Sequence, residues 1–333
     1  MSGTQRPVAG TIETMPRLRP ALSRRRPGPV RIVVVGDLML DVVLAPERAL
    51  ETGTDVPGRV RLVQGGSAAN TARWLARSGA QATLIGAVGR DAAGRALVET
   101  IRADGVTPRF ARVAGVRTGR IGVVVAPDGE RSFVADRGAA DQLAPEDLQP
   151  AWFARADAVH LPVYSLLGQP LGAAGRHAVE LGRASGALIS VDLASIGPLL
   201  SAGRRAARAL IEATAPDLLF ATAAEAEALL GRYAVDGLLD LAPMAAVKRG
   251  ALGVTVLARD GDARLRFEVA TSSLGATDTT GAGDAFDAGF LMGWFAARRS
   301  GRSIAASLQR AALAGHRTAA RHLSSARPEL AFS

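Results

Sequence analysis

One stretch near the C-terminal end of the chain combines residue types that could handle a phosphoryl group. It reads Asp278-Thr279-Thr280-Gly281-Ala282-Gly283-Asp284 and opens a run of helix-forming residues. Small residues let the backbone approach an anion closely, and the first turn of a helix offers unpaired N–H groups. Because a carboxylate repels phosphate, Asp284 predicts a base that takes the proton of an attacking hydroxyl. The alternative for so short a motif is that Asp284 only complements the helix dipole.

Polar residues at the end of an early apolar run form a second candidate group. In the segment 31–35 every residue after Arg31 is apolar, which is typical of a strand buried on both faces. Asp37 and Asp41 follow this segment. Open α/β sheets bind ligands beyond the carboxyl ends of such strands. Asp37 taken alone could equally cap a turn.

A double glycine before a predicted helix marks another close approach. Gly65 and Gly66 precede a helix that we expect to end at Gly79. Asn70, one turn inside this helix, could hydrogen-bond a hydroxyl-rich ligand or could simply be solvated.

The elements that would position these residues alternate between strands and helices. Buried strands are predicted at 82–88, 157–161, 187–191, 217–221 and 244–248. Helices are predicted at 169–184, 199–213, 223–231, 282–298 and 302–322, with a hairpin of 253–258 and 263–269. This pattern predicts an α/β fold with a doubly wound, mostly parallel sheet flanked by helices. Residues 42–63 and 107–136 break the rhythm with short alternating strands and predict a small β-rich lid.

Composition narrows the class of protein. The 333 residues are 48% hydrophobic and 21% charged, as in an ordinary globular protein. No apolar run is long enough to span a membrane, and the absence of cysteine excludes disulfides and thiolate chemistry. Residues 1–29 are rich in arginine and proline and predict a disordered tail before one folded domain at 30–333.

The net charge of +9 comes almost entirely from arginine, since Lys248 is the only lysine. No zinc-finger spacing, basic heptad or aromatic-basic pattern predicts a nucleic-acid partner. The cysteine-free composition fits a cytoplasmic location, and we expect neither a membrane nor a nucleic acid as partner.

Two motifs in the right order resemble the signatures of one enzyme family. Gly65-Gly66-Ser67-Ala68-Ala69-Asn70, with Gly86, Gly89, Asp91 and Gly94 downstream, resembles the N-terminal signature of the PfkB (ribokinase-like) carbohydrate kinases. The stretch from Asp278 to Asp284 resembles their C-terminal signature. The resemblance covers about residues 31–320 and implies ATP-dependent phosphorylation of a primary hydroxyl of a sugar or sugar derivative.

By position, the resemblance implies a role for each matching residue. Asp284 would be the general base, and the anion hole would comprise Gly281, Ala282 and Gly283. The sugar would be held by Asp37, Asp41, Gly65, Gly66 and Asn70.

The resemblance also implies where nucleotide and ions bind. The nucleotide would lie against Thr222, Lys248, Gly250 and Gly253. Glu225 would organise Mg²⁺ through water, and Asp278 and Thr280 match positions that help to bind a monovalent cation such as K⁺. The family also makes a homodimer through the lid an option.

Departures from the family pattern leave the substrate open. Thr222 replaces the asparagine of the Asn-x-x-Glu motif, and Ser67 replaces a lysine that ribokinase carries. The segment 160–163 has no acid where ribokinases have a glutamate. A nucleoside kinase of the same fold is therefore an alternative, and a non-catalytic pseudo-kinase is another. We expect the four histidines, His160, His177, His316 and His322, to be structural or exposed.

Overall fold

The computed structural model describes residues 28–232, 234–271, 279–325 and 327–331. Its strands are β1 Arg31–Val35, β2 Met39–Pro46, β3 Gly58–Gly65, β4 Gln81–Gly89, β5 Thr107–Val113, β6 Arg120–Val125, β7 Arg131–Asp136, β8 Ala158–Pro162, β9 Leu188–Asp192, β10 Leu218–Thr222, β11 Met244–Lys248, β12 Val254–Asp260 and β13 Ala263–Val269. Its helices are α1 Ser67–Arg77, α2 Ala92–Ala103, α3 Leu171–Ala184, α4 Ile196–Leu200, α5 Arg204–Thr214, α6 Ala223–Leu230, α7 Ala282–Arg299 and α8 Ile304–Leu323.

A large sheet forms the centre of the molecule. Its nine strands lie in the order β13-β12-β11-β10-β9-β8-β1-β4-β5. The strands from β11 to β5 are parallel, whereas β12 and β13 are antiparallel additions at one edge. The predicted doubly wound, mostly parallel sheet is confirmed.

Both faces of this sheet are covered, as the continuous apolar strands predict. In β1, Ile32 and Val34 pack into the core on one face, and Val33 and Val35 pack into the core on the other. The first of these cores includes Phe290 and Trp294 of α7. Because successive side chains of a strand point to opposite faces, a central strand needs apolar residues at every position.

A second, four-stranded sheet has the order β3-β2-β6-β7. It contains two of the short strands predicted within 107–136, β6 and β7, and the two ends of the segment 42–63, so the separate small sheet is present. The expected boundary of the lid needs one correction, because Thr107–Val113 pairs with β4 as the edge strand of the large sheet. Some side chains of an edge strand are exposed to solvent, so its sequence alternates between apolar and polar residues. Such a sequence cannot be distinguished from that of a strand in a lid.

The structure also departs from the sequence prediction at one helix and in one segment without a predicted element. The helix predicted at 199–213 is split into α4 and α5, and Gly203 between them has a φ of 87°. Residues 138–152 contain short 3₁₀ turns that the sequence pattern did not predict. The disordered tail was predicted at residues 1–29, of which 1–27 lie outside the described residues.

In the described part of the chain, no helix combines the length and the apolar character that crossing a membrane requires.

Candidate active site

A cavity of about 780 Å³ lies beyond the carboxyl ends of the parallel strands. Asp37 follows β1, and the last residues of β9, β10 and β11 are Asp192, Thr222 and Lys248, all of which line the cavity. The first turn of α7 and three residues of the small sheet, Ile121, Phe133 and Ala135, also belong to the lining. Ligands of open α/β sheets bind at this edge.

Asp284 lies in the first turn of α7, and two side chains of α1 hold its carboxylate. Ser67 Oγ donates to Oδ1 at 2.7 Å, and Asn70 Nδ2 donates to Oδ2 at 2.9 Å. Burial raises the pKa of Asp284 to about 7, although these two hydrogen bonds oppose the rise. A carboxyl group with a pKa near neutrality can accept a proton and release it at physiological pH.

The backbone before Asp284 forms a tight turn that only small residues allow. Gly281 has a φ of 84°, and a Cβ there would lie 3.1 Å from His322 Cε1. A Cβ on Gly283 would lie 3.3 Å from Lys248 Nζ. The Ala282 N–H already donates to the Thr279 carbonyl at 3.1 Å, so it is part of the turn itself. The first-turn N–H groups of α7, including that of Gly283, have no acceptor within the helix and form the positive end of its dipole.

Lys248 joins two buried carboxylates beside this turn. Its Nζ lies 3.2 Å from Asp192 Oδ1 and 3.1 Å from Asp287 Oδ1. Burial alone would lower the pKa of Lys248, but the two carboxylates outweigh it and raise the pKa. The pKa of Asp287 is well above its usual range because the side chain is fully buried. The ammonium group therefore stays charged at the floor of the cavity.

Asp37 and Asp41 are both buried, and each is paired with an arginine. Arg137 Nη1 lies 3.2 Å from Asp37 Oδ2, and Arg327 Nη1 lies 3.0 Å from Asp41 Oδ2. Arg137 also donates from Nε to Asp141 at 2.6 Å. The arginines fix the orientation of the two carboxylates that face the cavity.

The double glycine provides the space that these aspartates need. A Cβ on Gly65 would lie 1.8 Å from Asp41 Oδ1. A Cβ on Gly66, whose φ is 99°, would lie 2.6 Å from the Asp37 carbonyl oxygen. The close approach that the two glycines predicted is thus an approach to Asp41 and Asp37 within the protein.

Thr222 and Glu225 form a capping box at the start of α6. The Glu225 N–H donates to Thr222 Oγ1 at 3.2 Å, and the Thr222 N–H donates to Glu225 Oε2 at 2.7 Å. Threonine is a good N-cap, so the departure from the family's asparagine keeps this helix start intact. Burial, with the charge of Asp192 next, raises the pKa of Glu225.

A family model matches nearly the whole described chain. The model of the pfkB family carbohydrate kinases covers residues 30–329. The chain belongs to this family. As a pfkB kinase it is a phosphotransferase with an alcohol group as acceptor.

Curated relatives of this pfkB kinase act on sugars. Fructokinase-1 of Oryza sativa subsp. japonica is 32% identical over 266 residues, which are 77% of this chain and 80% of the relative. The ATP-dependent ribose-1-phosphate kinase of Halopiger xanaduensis is 34% identical over 273 residues, which are 80% of this chain and 85% of the relative. Among solved structures, the adenosine kinase from Sinorhizobium meliloti has a TM-score of 0.77 and 26% identity, covering 90% of this chain and 96% of that one.

The structure of this pfkB kinase brings most of the sequence-predicted residues together. The cavity is lined by Asp37, Asp41, Gly66, Asn70, Thr222, Glu225, Lys248, Thr280, Gly281, Gly283 and Asp284. Gly65 lies directly behind Asp41. Gly250 and Gly253 instead form the turn between β11 and β12, where a Cβ on Gly253 would meet the Val269 carbonyl at 2.2 Å. Asp278 lies outside the described residues.

Several residues at the site were not predicted from the sequence. Asp192 directly follows the strand predicted at 187–191, much as Asp37 follows the first predicted strand, so the same signal could have identified it. Ser67 was noted only as a departure, yet it holds Asp284. The arginine partners of Asp37 and Asp41 had no signal, since arginines are spread throughout the chain.

His322 was expected to be structural or exposed, and it is structural, since it contacts the turn before Asp284. Its Nε2 lies 2.7 Å from the Thr280 carbonyl oxygen. Thr280 is the described member of the pair that the family resemblance linked to a monovalent cation. The carbonyl of Thr280 is therefore already bound by a nitrogen of the protein.

Proposed function

We propose that this pfkB kinase transfers the γ-phosphoryl group of ATP to a primary hydroxyl of a sugar or sugar derivative, with Asp284 as general base. One observation carries the proposal: a carboxyl group with a pKa of about 7 lies in the cavity, in the first turn of the helix that follows the glycine turn. The catalytic identity of Asp284 is our inference from this geometry.

The acceptor hydroxyl gives its proton to the Asp284 carboxylate while its oxygen forms a bond to the γ-phosphorus. The bond between the γ-phosphorus and the bridging oxygen of ADP breaks, and ADP leaves with that electron pair. Ser67 and Asn70 keep the carboxylate aimed at the acceptor. Backbone N–H groups of the Gly281–Gly283 turn would stabilise the charge that develops on the transferred group, and Lys248 adds a positive charge next to Gly283.

The acceptor would be held by Asp37 and Asp41 on one wall of the cavity and by Asn70 beside Asp284. The oxygens of the two aspartates, fixed by arginine partners, can accept hydrogen bonds from sugar hydroxyls. Gly65 and Gly66 support this wall by making room for the two aspartates.

The residues present fit a nucleotide with Mg²⁺. Glu225 and Asp192 place carboxylate oxygens in the cavity, and oxygen ligands with retained waters suit Mg²⁺. When bound, the ion would neutralise phosphate charge. Thr222 and Lys248 border the same part of the cavity, whereas Gly250 and Gly253 would act through the shape of the turn after β11.

The small sheet supports the expectation of a lid, since Ile121, Phe133 and Ala135 line the same cavity as Asp284. Phe133 remains 58% exposed, which leaves room for the sheet to move closer to an acceptor. Closure of this lid over the substrate and pairing of two copies through it stay predictions.

A nucleoside kinase is the second candidate. The similarity to the adenosine kinase from Sinorhizobium meliloti supports it. A panel of fructose, ribose, ribose 1-phosphate and adenosine, assayed by ADP release, discriminates between the two candidates. Binding of ATP without turnover of any acceptor would favour the pseudo-kinase alternative.

The test of the mechanism is Asp284→Asn. We expect kcat to fall by at least about 10²-fold because the general base is lost. ATP binding by calorimetry and the melting temperature should stay close to those of the wild type. The matched control is Asp260→Asn in the exposed turn of the β12–β13 hairpin, which should keep full activity. If Asp284→Asn kept more than about a tenth of the wild-type kcat, the general-base role would be refuted.

A further inference from the structure

Three residues from different parts of the chain form a line of hydrogen bonds that ends at the glycine turn. Trp74 Nε1 of α1 donates to His322 Nδ1 of α8 at 3.0 Å. His322 Nε2 lies 2.7 Å from the carbonyl oxygen of Thr280, the residue before Gly281. The rings of Trp74 and His322 also meet edge to face, with centroids 5.6 Å apart.

The partners determine the state of the imidazole ring. An indole N–H can only donate, so His322 Nδ1 must be an acceptor without a proton. A carbonyl oxygen can only accept, so Nε2 must carry the proton and donate it. His322 is therefore the neutral tautomer with its N–H directed at the Thr280 carbonyl.

The imidazole also packs against the turn itself. Its Cε1 and Nε2 lie 3.1 and 3.2 Å from the position that a Cβ on Gly281 would take. A side chain at Gly281 would collide with the ring, so the glycine and the histidine fit each other. The contact is local to the turn that precedes Asp284.

One face of α1 supports both sides of this turn. Ser67, Asn70 and Trp74 follow the i, i+3, i+7 spacing of a single helical face. The first two hold the Asp284 carboxylate, and Trp74 holds the histidine that holds Thr280. The same helix thus orients the base and the backbone before it.

We propose that His322 is a positioning residue for the anion hole, and that its N–H takes the place of a monovalent cation at the Thr280 carbonyl. This inference rests on the proposed function of Gly281–Gly283. A cation at this carbonyl would lie beside the positive end of the imidazole N–H and would be repelled by it. Thr280, the described residue of the two that the family resemblance linked to K⁺, therefore does not fit that ion. This kinase needs no K⁺ to order the turn before Asp284.

The variants that test the inference are His322→Ala, His322→Gln and Trp74→Phe. In His322→Gln the side chain keeps an N–H donor at a similar distance from the Thr280 carbonyl. His322→Ala removes this donor, and Trp74→Phe removes the indole N–H that aligns the imidazole ring. The matched control is His316→Ala, because His316 lies on the same helix and its Nε2 contacts the Val269 carbonyl at 3.1 Å, away from the cavity.

We expect His322→Ala to lower kcat by about 10²-fold with little change in KM for ATP, since a misplaced anion hole loses transition-state stabilisation. His322→Gln should recover most of the loss, Trp74→Phe should show an intermediate loss, and His316→Ala should leave kcat unchanged. Replacing KCl by tetramethylammonium chloride at equal ionic strength should not change the kcat of the wild type. A rise of wild-type kcat with K⁺, or a wild-type kcat in His322→Ala, would overturn the proposal.

Two readouts do not depend on turnover. The ¹⁵N NMR spectrum of the wild type should contain a histidine signal with protonated Nε2 and unprotonated Nδ1 that disappears in His322→Ala and is kept in His316→Ala. The wild-type melting temperature should be the same in KCl and tetramethylammonium chloride. A K⁺-specific increase in melting temperature would contradict the inference about His322, whether or not any acceptor is phosphorylated. Failure to phosphorylate any acceptor would refute only the proposed function.

Discussion

Two opposing effects act on the pKa of the Asp284 carboxyl group. Burial raises its pKa to about 7, while hydrogen bonds from Ser67 and Asn70 favour the charged form. Because the base acts as carboxylate, kcat/KM should rise with pH through about 7 and then level off. Ser67→Ala removes a donor to the carboxylate, so the midpoint should move to higher pH by about one unit. The measurement is kcat/KM for the best acceptor between about pH 5.5 and 9.

The control for this pH profile is Ser300→Ala, at the far end of the same helix, where the hydroxyl donates to the Ala296 carbonyl. It should leave the midpoint where the wild type has it. A midpoint that moved to lower pH in Ser67→Ala would mean that the serine does not stabilise the carboxylate.

The sequence predicted Asp284 as the general base, but it did not predict that Ser67 hydrogen-bonds the carboxylate and affects its pKa. The glycines and the acid of the C-terminal motif are adjacent in the chain, so their joint role is visible in a short stretch. Ser67 and Asp284 are 217 residues apart, and only the packing of α1 against α7 brings them together. His322 was likewise invisible, because a single histidine carries no spacing signal.

At the level of elements, the glycines between β3 and α1 are a packing device for the acceptor site. The Gly65 Cα lies so close to Asp41 that an added Cβ would be 1.8 Å from Oδ1. Gly65→Ala should push Asp41 out of place and raise KM for the acceptor by about tenfold or more, with KM for ATP unchanged. Overpacking should also lower the free energy of unfolding by about 1–3 kcal/mol, measured by urea denaturation.

Gly237→Ala is the matched control, since its Cβ would meet only the Leu230 side chain at an ordinary 3.5 Å. It should change neither KM nor stability. An unchanged acceptor KM in Gly65→Ala would place Asp41 outside the acceptor site.

Element types followed from the sequence more readily than element partners. The continuous apolar runs of β1 and β9 predicted strands buried on both faces, and the structure confirms them. The pairing of β5 with β4 rather than with the lid is set by long-range contacts that an alternating pattern does not encode. The capping box at Thr222 was encoded locally but was interpreted only as a departure from the family motif.

In the whole molecule, the C-terminal segment returns to the acceptor wall. After α8, Arg327 pairs with Asp41 across 286 residues of sequence. Glu329 bridges to Val63, and the Leu330 N–H donates to the Leu62 carbonyl at 2.8 Å, so this segment extends the small sheet beside β3. The small sheet and the C-terminal segment therefore meet at Asp41.

This arrangement predicts that Arg327→Ala affects substrate binding and stability together. Arg327 and Asp41 are 10% and 6% exposed, and removing one partner of a buried ion pair leaves the other charge uncompensated. We expect the free energy of unfolding to fall by about 3 kcal/mol in urea denaturation. Without the Arg327 contact, Asp41 should lose its orientation, so KM for the acceptor should rise while KM for ATP stays the same. The exposed Arg321 at the end of α8 provides the control, and Arg321→Ala should change neither quantity. If Arg327→Ala lost stability but kept its acceptor KM, the segment would only fasten the small sheet, and Asp41 would not depend on Arg327 for its orientation.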